Sequence, residues 1–170
     1  MTQPELDRLF DQGFVTTRDK LLFAIAYYCA CRVSEALALT TDDFSGGVVT
    51  LRKSTTKGKS ATRTLPAHPK LLEYLSAYNS QEGLLFPGRS GDKPLTRAMA
   101  DLILRAACKR VKIRGASTHS FRRTALTNMS NANVPIRVIQ EISGHKSLTA
   151  LQRYLEVKPD QVVAAIALLN

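Results

Sequence analysis

The stretch from Leu21 to Ala30 constrains the fold of this 170-residue chain more than any other segment. Leu21, Leu22, Ile25, Ala26 and Cys29 recur at helical spacing, while Phe23, Ala24, Tyr27 and Tyr28 fill much of the other face. A helix that is apolar nearly all round must be central, with other elements packed against it. It is about half of the roughly 20 residues that a bilayer requires, and Arg18, Asp19 and Lys20 precede it, so it is not read as a membrane span. The opening Met1-Thr2-Gln3-Pro4-Glu5 lacks the basic and apolar blocks of a secretory signal. A cytoplasmic location is expected.

Local signals place further elements around that helix. Thr2 and Glu5 form a capping-box pattern for a short helix through Phe10, stopped by Gly13, and Thr16 or Thr17 starts the central helix. A break near Ala30 leads into another short helix, Val33 to Leu39. Gly46-Gly47 marks a turn, Val48 to Leu51 reads as a strand, and Thr62 to Leu65 reads as its partner, ended by Pro66. Helices are then predicted over about 69–78, 96–111, 118–130 and 135–142, followed by a short one capped by Ser147 and a last one over 161–169. The expected class is α+β: mostly helical with one small antiparallel sheet.

Lys and Arg number 24 against 14 acids, a net charge of +10, which favours a polyanionic partner. The basic residues are scattered through predicted elements, so they act from a shaped surface and not from a flexible arm. Cys29, Cys31 and Cys108 are odd in number and lack ligand spacing; they read as small buried hydrophobes, and no metal site is expected.

Three segments carry groups suited to phosphate chemistry: Arg32-Val33-Ser34-Glu35-Ala36-Leu37, His119-Ser120-Phe121-Arg122-Arg123-Thr124, and Ser143-Gly144-His145 with Tyr154 nine residues beyond the histidine. Cleaving a phosphodiester without metal needs fixed cations on the non-bridging oxygens, an in-line nucleophile and a donor for the departing oxygen. Two arginines, a tyrosine, a lysine and histidines supply such a set.

In these motifs the chain resembles the tyrosine recombinases, the family of the phage integrases, from about Thr2 to Leu155. The resemblance implies the family's catalytic-domain fold across 1–170, without the separate N-terminal DNA-clamping domain. It implies that Arg32 and Arg122 hold the scissile phosphate, that Glu35 supports the first arginine, and that His119 and His145 bind phosphate and assist proton transfer. Tyr154 becomes the nucleophile, leaving a 3′-phosphotyrosine and a free 5′-hydroxyl. Lys57 on the hairpin is the general acid, with Lys59 the alternate. No cofactor is implied. Lys53, Lys59, Arg63 and Arg123 are expected to contact the DNA backbone, giving salt-dependent affinity without sequence information. Two positions depart from the pattern: Ala30 stands where a glycine is usual, and Ser143 where a leucine is usual.

Taken singly, each motif has an ordinary reading. Tyr154 could be a packing residue, Arg122-Arg123 a solvated helix face, and Arg32 a surface ion-pair partner of Glu35. His68 is read as structural or exposed, and Tyr27, Tyr28, Tyr74 and Tyr78 as packing residues. Rival functions are a type IB topoisomerase, which shares the covalent chemistry, and a non-catalytic DNA-binding relative. The partner is double-stranded DNA, bound by a homo-oligomer (a tetramer on DNA). The apolar tail Val162, Val163, Ile166, Leu168 and Leu169 reads either as a plain core helix or as a segment, 159–170, that docks on a neighbouring protomer. Met1 followed at once by a capped helix points to a natural start, and a fragment given an initiating Met remains the alternative.

Overall fold

The computed structural model describes residues 1–52, 61–152, 159–167 and 169. The chain begins with α1 (Gln3–Arg8), whose capping box is formed by Thr2 and Glu5: the Thr2 amide donates to Glu5 Oε2 at 2.8 Å. One π-helical turn, Leu9–Gly13, extends it and drives Leu9 and Phe10 into the core. Helix α2 (Thr17–Tyr28) starts on the Thr16 side chain, and Leu21 through Ala26 are all essentially inaccessible. The expected central helix is therefore present, packed against α3 (Val33–Leu37), α4 (Pro69–Tyr78) and α6 (Thr118–Asn131).

Aromatic rings knit these helices together. Phe23 of α2 lies between Phe14 and Phe121, with ring centroids 4.9 and 4.8 Å away. Burying rings of this size contributes on the order of 2–3 kcal/mol each. Phe121 therefore anchors α6 firmly, and its neighbour Arg122 inherits that rigidity. A second, smaller cluster of Ala30, Ala125, Leu126, Ile139 and Leu151 joins α6 to α7 (Ile136–Ser143) and α8 (Leu148–Gln152). Helix α5 (Arg97–Arg110) packs on the π turn.

Among the described residues the sheet has three antiparallel strands in the order β1 (Phe44–Ser45), β2 (Val48–Leu51), β3 (Arg63–Pro66). Gly46 and Gly47 both have positive φ, +58° and +77°, which fits the two-residue turn joining β1 to β2. Strand β1 was not expected from sequence: its two residues exist as a strand only through pairing with Val48 and Val49. Strand β3 lies one residue later than expected and includes Pro66, which an edge strand tolerates because no ladder donor is needed there. Val162, Val163 and Ile166 of helix α9 (Pro159–Ile166), and Leu169 just after it, are between 51% and 75% exposed, unlike the residues of a core helix. No described helix is long and apolar enough to cross a membrane.

Candidate active site

Three chain segments far apart in sequence meet at Glu35. Its side chain is 1% exposed, on the first turn of α3. Oε2 accepts the Arg32 amide at 2.7 Å, which closes the N-terminus of that helix. Oε1 accepts Arg63 Nη1 at 3.0 Å. Burial pushes the Glu35 carboxyl up, but the Arg63 bond and charge, the Arg32 amide and the Arg122 charge outweigh it and leave it below the ordinary carboxylate range.

Arg32 follows a sharp reversal at Ala30, where a non-glycine residue takes φ +43°. That left-handed conformation is where glycine is most at ease, so the alanine that departs from the usual motif sits in a strained position. The Arg32 side chain is 41% exposed, and its Nη1 lies 3.9 Å from Glu35 Oε2.

Arg122 is the largest side chain among those fully buried. Its Nη1 donates to the carbonyls of Ala30 at 2.6 Å and Ser143 at 2.9 Å, tying α6 to the reversal before α3 and to the end of α7. Burial, and secondarily the Arg32 charge, brings it down to about 10, so it remains a cation at neutral pH. Its Nη2 lies 3.2 and 3.1 Å from the two ring nitrogens of His145.

His145 stands at the end of a built turn. Gly144 ends α7 with φ +66°, and Gln140 Nε2 donates to the His145 carbonyl at 3.0 Å. Ser143 Oγ lies 2.7 Å from His145 Nδ1. Burial first, then the charges of Arg122, Arg32 and Arg63, lowers His145 to about 4, so the imidazole is neutral. His119, one helical turn before Arg122 on α6, is also lowered, by desolvation and then by Arg122, Arg32, Arg123 and Arg97.

The residues expected to act together do converge: Arg32, Glu35, Arg122 and His145 are linked by the contacts above, with His119 within their field. Arg123 is exposed on α6, as a backbone contact requires. Arg63 is different. It was expected at the DNA surface, yet its side chain is 9% exposed and lies beneath the site, with Nε donating to the Ile142 carbonyl at 3.0 Å. Its burial follows from strand alternation, since Leu65 on the same strand also turns inward. Arg63 Nη2 is buried without a hydrogen-bond partner among the described residues. Lys53, Lys57, Lys59 and Tyr154 lie outside the described residues. Sequence reasoning missed Ser143 as a partner of His145; its hydroxyl, where leucine is usual, was the available signal.

Three guanidinium groups, Arg32, Arg63 and Arg122, surround one carboxylate, leaving two net positive charges at a site with neutral imidazoles. That arrangement suits an oxyanion with several oxygens, such as a phosphodiester approaching its transition state.

Residues 1–161 match the Phage integrase family. The chain is 28% identical over 159 residues to the tyrosine recombinase XerC of Rhodospirillum centenum, covering 89% of this chain and 46% of that protein. It is 31% identical over 158 residues to XerD of Corynebacterium glutamicum, covering 87% and 51%. The chain thus spans about half the length of these curated relatives. Among solved structures, XerA recombinase superposes with a TM-score of 0.81 at 19% identity, covering 98% of this chain and 63% of that one. XerH site-specific recombinase bound to its difH substrate gives 0.78 at 20% identity, covering 100% and 54%. With the motifs in order, their side chains gathered around Glu35 and a family match over nearly the whole length, the chain belongs to the phage integrase family of tyrosine recombinases.

Proposed function

We propose that this chain cleaves and rejoins DNA in a site-specific recombination reaction through a covalent 3′-phosphotyrosine, without a metal ion. The observation that carries this reading is the placement of Arg122. A buried cation held by two backbone carbonyls from different elements is pre-organised, and it costs no rearrangement when charge develops on a phosphate. Fixed guanidinium groups supply the charge stabilisation that a metal provides in other phosphoryl-transfer sites.

In this reading Arg32 and Arg122 bind the non-bridging oxygens of the scissile phosphate. The Tyr154 hydroxyl gives up its proton, with His119 and His145 assisting proton transfer, and its oxygen attacks phosphorus. The bond to the 5′ oxygen breaks, and Lys57 (or Lys59) protonates that leaving group. An incoming 5′-hydroxyl then gives up its proton and attacks the phosphotyrosine; the bond from phosphorus to the Tyr154 oxygen breaks, the tyrosine takes back a proton, and a phosphodiester is restored with the bond energy conserved. Lys53, Lys59 and Arg123 contact the DNA backbone. The exposed apolar side chains of α9 support docking of 159–170 on a neighbouring protomer, within a tetramer on DNA.

A nicked duplex carrying the target site, which traps the covalent adduct when the cleaved fragment diffuses away, tests this directly. The parent chain should accumulate adduct and Tyr154→Phe should not; equal trapping by both would remove Tyr154 from its role. Strand exchange between two marked duplexes, against mere relaxation of supercoils, separates a recombinase from a topoisomerase.

A further inference from the structure

Arg63 belongs to none of the three motifs, yet it is built into the floor of the site. Register sets it opposite Leu51, on the inward face of β3. Its guanidinium touches two elements at once: the Glu35 carboxylate on α3 and the Ile142 carbonyl in the last turn of α7, each at 3.0 Å. It also fills the space beside Gly144, where a Cβ would come within 2.8 Å of Nη1.

Glu35 divides its two oxygens. Arg63 engages Oε1 at 3.0 Å, while the guanidinium groups of Arg32 and Arg122 stay 3.9 and 4.0 Å from Oε2. A buried carboxylate that lost Arg63 would be left short of compensation and would draw in the nearest movable cation. Arg122 is held by the Ala30 and Ser143 carbonyls, whereas the Arg32 side chain is 41% exposed and its Nη1 stands 3.9 Å from Glu35 Oε2, longer than a hydrogen bond. Closure of Arg32 onto Glu35 would withdraw the cation that faces an incoming anion.

We infer that Arg63 is a positioning residue: by engaging Glu35 and the Ile142 carbonyl together, it keeps the Arg32 guanidinium available to a phosphate and fixes the turn that carries His145. The inference rests on the reading of this site as a phosphodiester-cleaving centre. The plainer alternative is that Arg63 only stabilises the fold as the counter-ion of a buried acid.

The test compares the parent chain with Arg63→Met, Arg63→Lys and the double variant Glu35→Gln/Arg63→Met. Two readouts are taken beside thermal melts: titration with inorganic phosphate followed through the His119 and His145 ring resonances, and the rate of adduct formation on a nicked duplex. Arg63→Met should weaken phosphate binding and slow adduct formation by about ten-fold or more, as loss of a buried ionic partner does. The double variant should recover several-fold of that loss, because no carboxylate remains to capture Arg32. Arg63→Lys keeps the charge but not the fork, so it should restore melting more than cleavage.

The inference is overturned if Arg63→Met binds phosphate and cleaves like the parent, or if the double variant melts cooperatively yet is no better than Arg63→Met. Should Arg63→Met fail to fold, the double variant and Arg63→Lys decide. A folded double variant near parental phosphate affinity supports the role; one ten-fold weaker overturns it. The two readings fail separately. A parent that forms no adduct while the phosphate series keeps the expected order defeats the recombinase assignment alone. Adduct formation with a flat phosphate series defeats the Arg63 role alone.

Discussion

Arg122 Nη2 lies 3.2 and 3.1 Å from the two ring nitrogens of His145, so the buried cation and the imidazole on the Gly-His turn form one unit. Burial and the neighbouring arginine charges hold His145 at about 4. In the free protein its NMR titration should therefore have its midpoint near 4, and replacing Arg122 with Gln should move it upward toward an ordinary histidine. Inorganic phosphate should also raise the midpoint, since an anion offsets the arginines. A midpoint near 6.5 in the parent would mean that the ring is not held where these contacts put it.

The same shift fixes the sign of a stability effect. The folded state holds His145 less protonated than the unfolded chain, so the stabilisation is fully present above the unfolded value and is lost as pH falls from about 6.5 toward 4. Glu35, also lowered, adds a second loss at more acidic pH. Denaturant melts across this range should show stability falling with pH, and His145→Asn should flatten the upper part of the slope. An unchanged slope in that variant would assign the effect to other groups.

Arg32 and Arg122, the two arginines proposed to hold the phosphate, should separate in a stability measurement. Arg122 is buried and bonded to two carbonyls, so Arg122→Ala strands those acceptors and should cost about 3 kcal/mol or more. The Arg32 side chain is 41% exposed and its ion pair with Glu35 is long, 3.9 Å, so Arg32→Ala should cost under about 1 kcal/mol. Both should abolish adduct formation on nicked DNA. Equal losses of stability in urea melts would contradict the division of labour between a pre-organised and a mobile cation.

Gly144 is constrained twice. Its φ of +66° disfavours any side chain, and a Cβ there would press on Arg63 Nη1 at 2.8 Å. Gly144→Ala should lower stability by about 1–2 kcal/mol from the backbone alone and should broaden or shift the His145 resonances as the turn moves. Parental melting with unshifted resonances would show that the turn relaxes freely.

What could be read in the sequence follows the range over which each feature is determined. The Thr2–Glu5 capping box, the Pro69–Tyr78 helix and the all-round apolar α2 depend on residues within a few positions of one another, and all are present in the fold. The motif residues Arg32, Glu35, Arg122 and His145 converge because their spacing encodes a shared fold. Arg63 was misplaced because its surroundings come from Glu35, 28 residues upstream, and Ile142, 79 residues downstream. An isolated arginine beside a hairpin reads as surface, and only the inward turn of Leu65 hinted otherwise. Strand β1 was illegible for a related reason: two residues carry no period, and pairing alone makes them a strand.

The tail offers the sharpest separation of the two readings that its composition leaves open. A core helix buries its apolar stripe, yet Val162, Val163, Ile166 and Leu169 of the α9 segment are 51%, 71%, 64% and 75% exposed. Covering each of four such side chains with a partner would contribute on the order of 1–2 kcal/mol, which is what docking on a neighbouring protomer would use. Truncation after Lys158 should therefore leave the urea midpoint of the free chain within about 0.5 kcal/mol of the parent, as expected for a change at exposed positions. Binding to a duplex with two adjacent half-sites should lose its cooperativity, read as a mobility shift in which singly and doubly occupied DNA accumulate independently. A truncated chain that precipitates or melts non-cooperatively would return α9 to the core, and one that still loads the two half-sites cooperatively would place the protomer contact elsewhere on the catalytic domain.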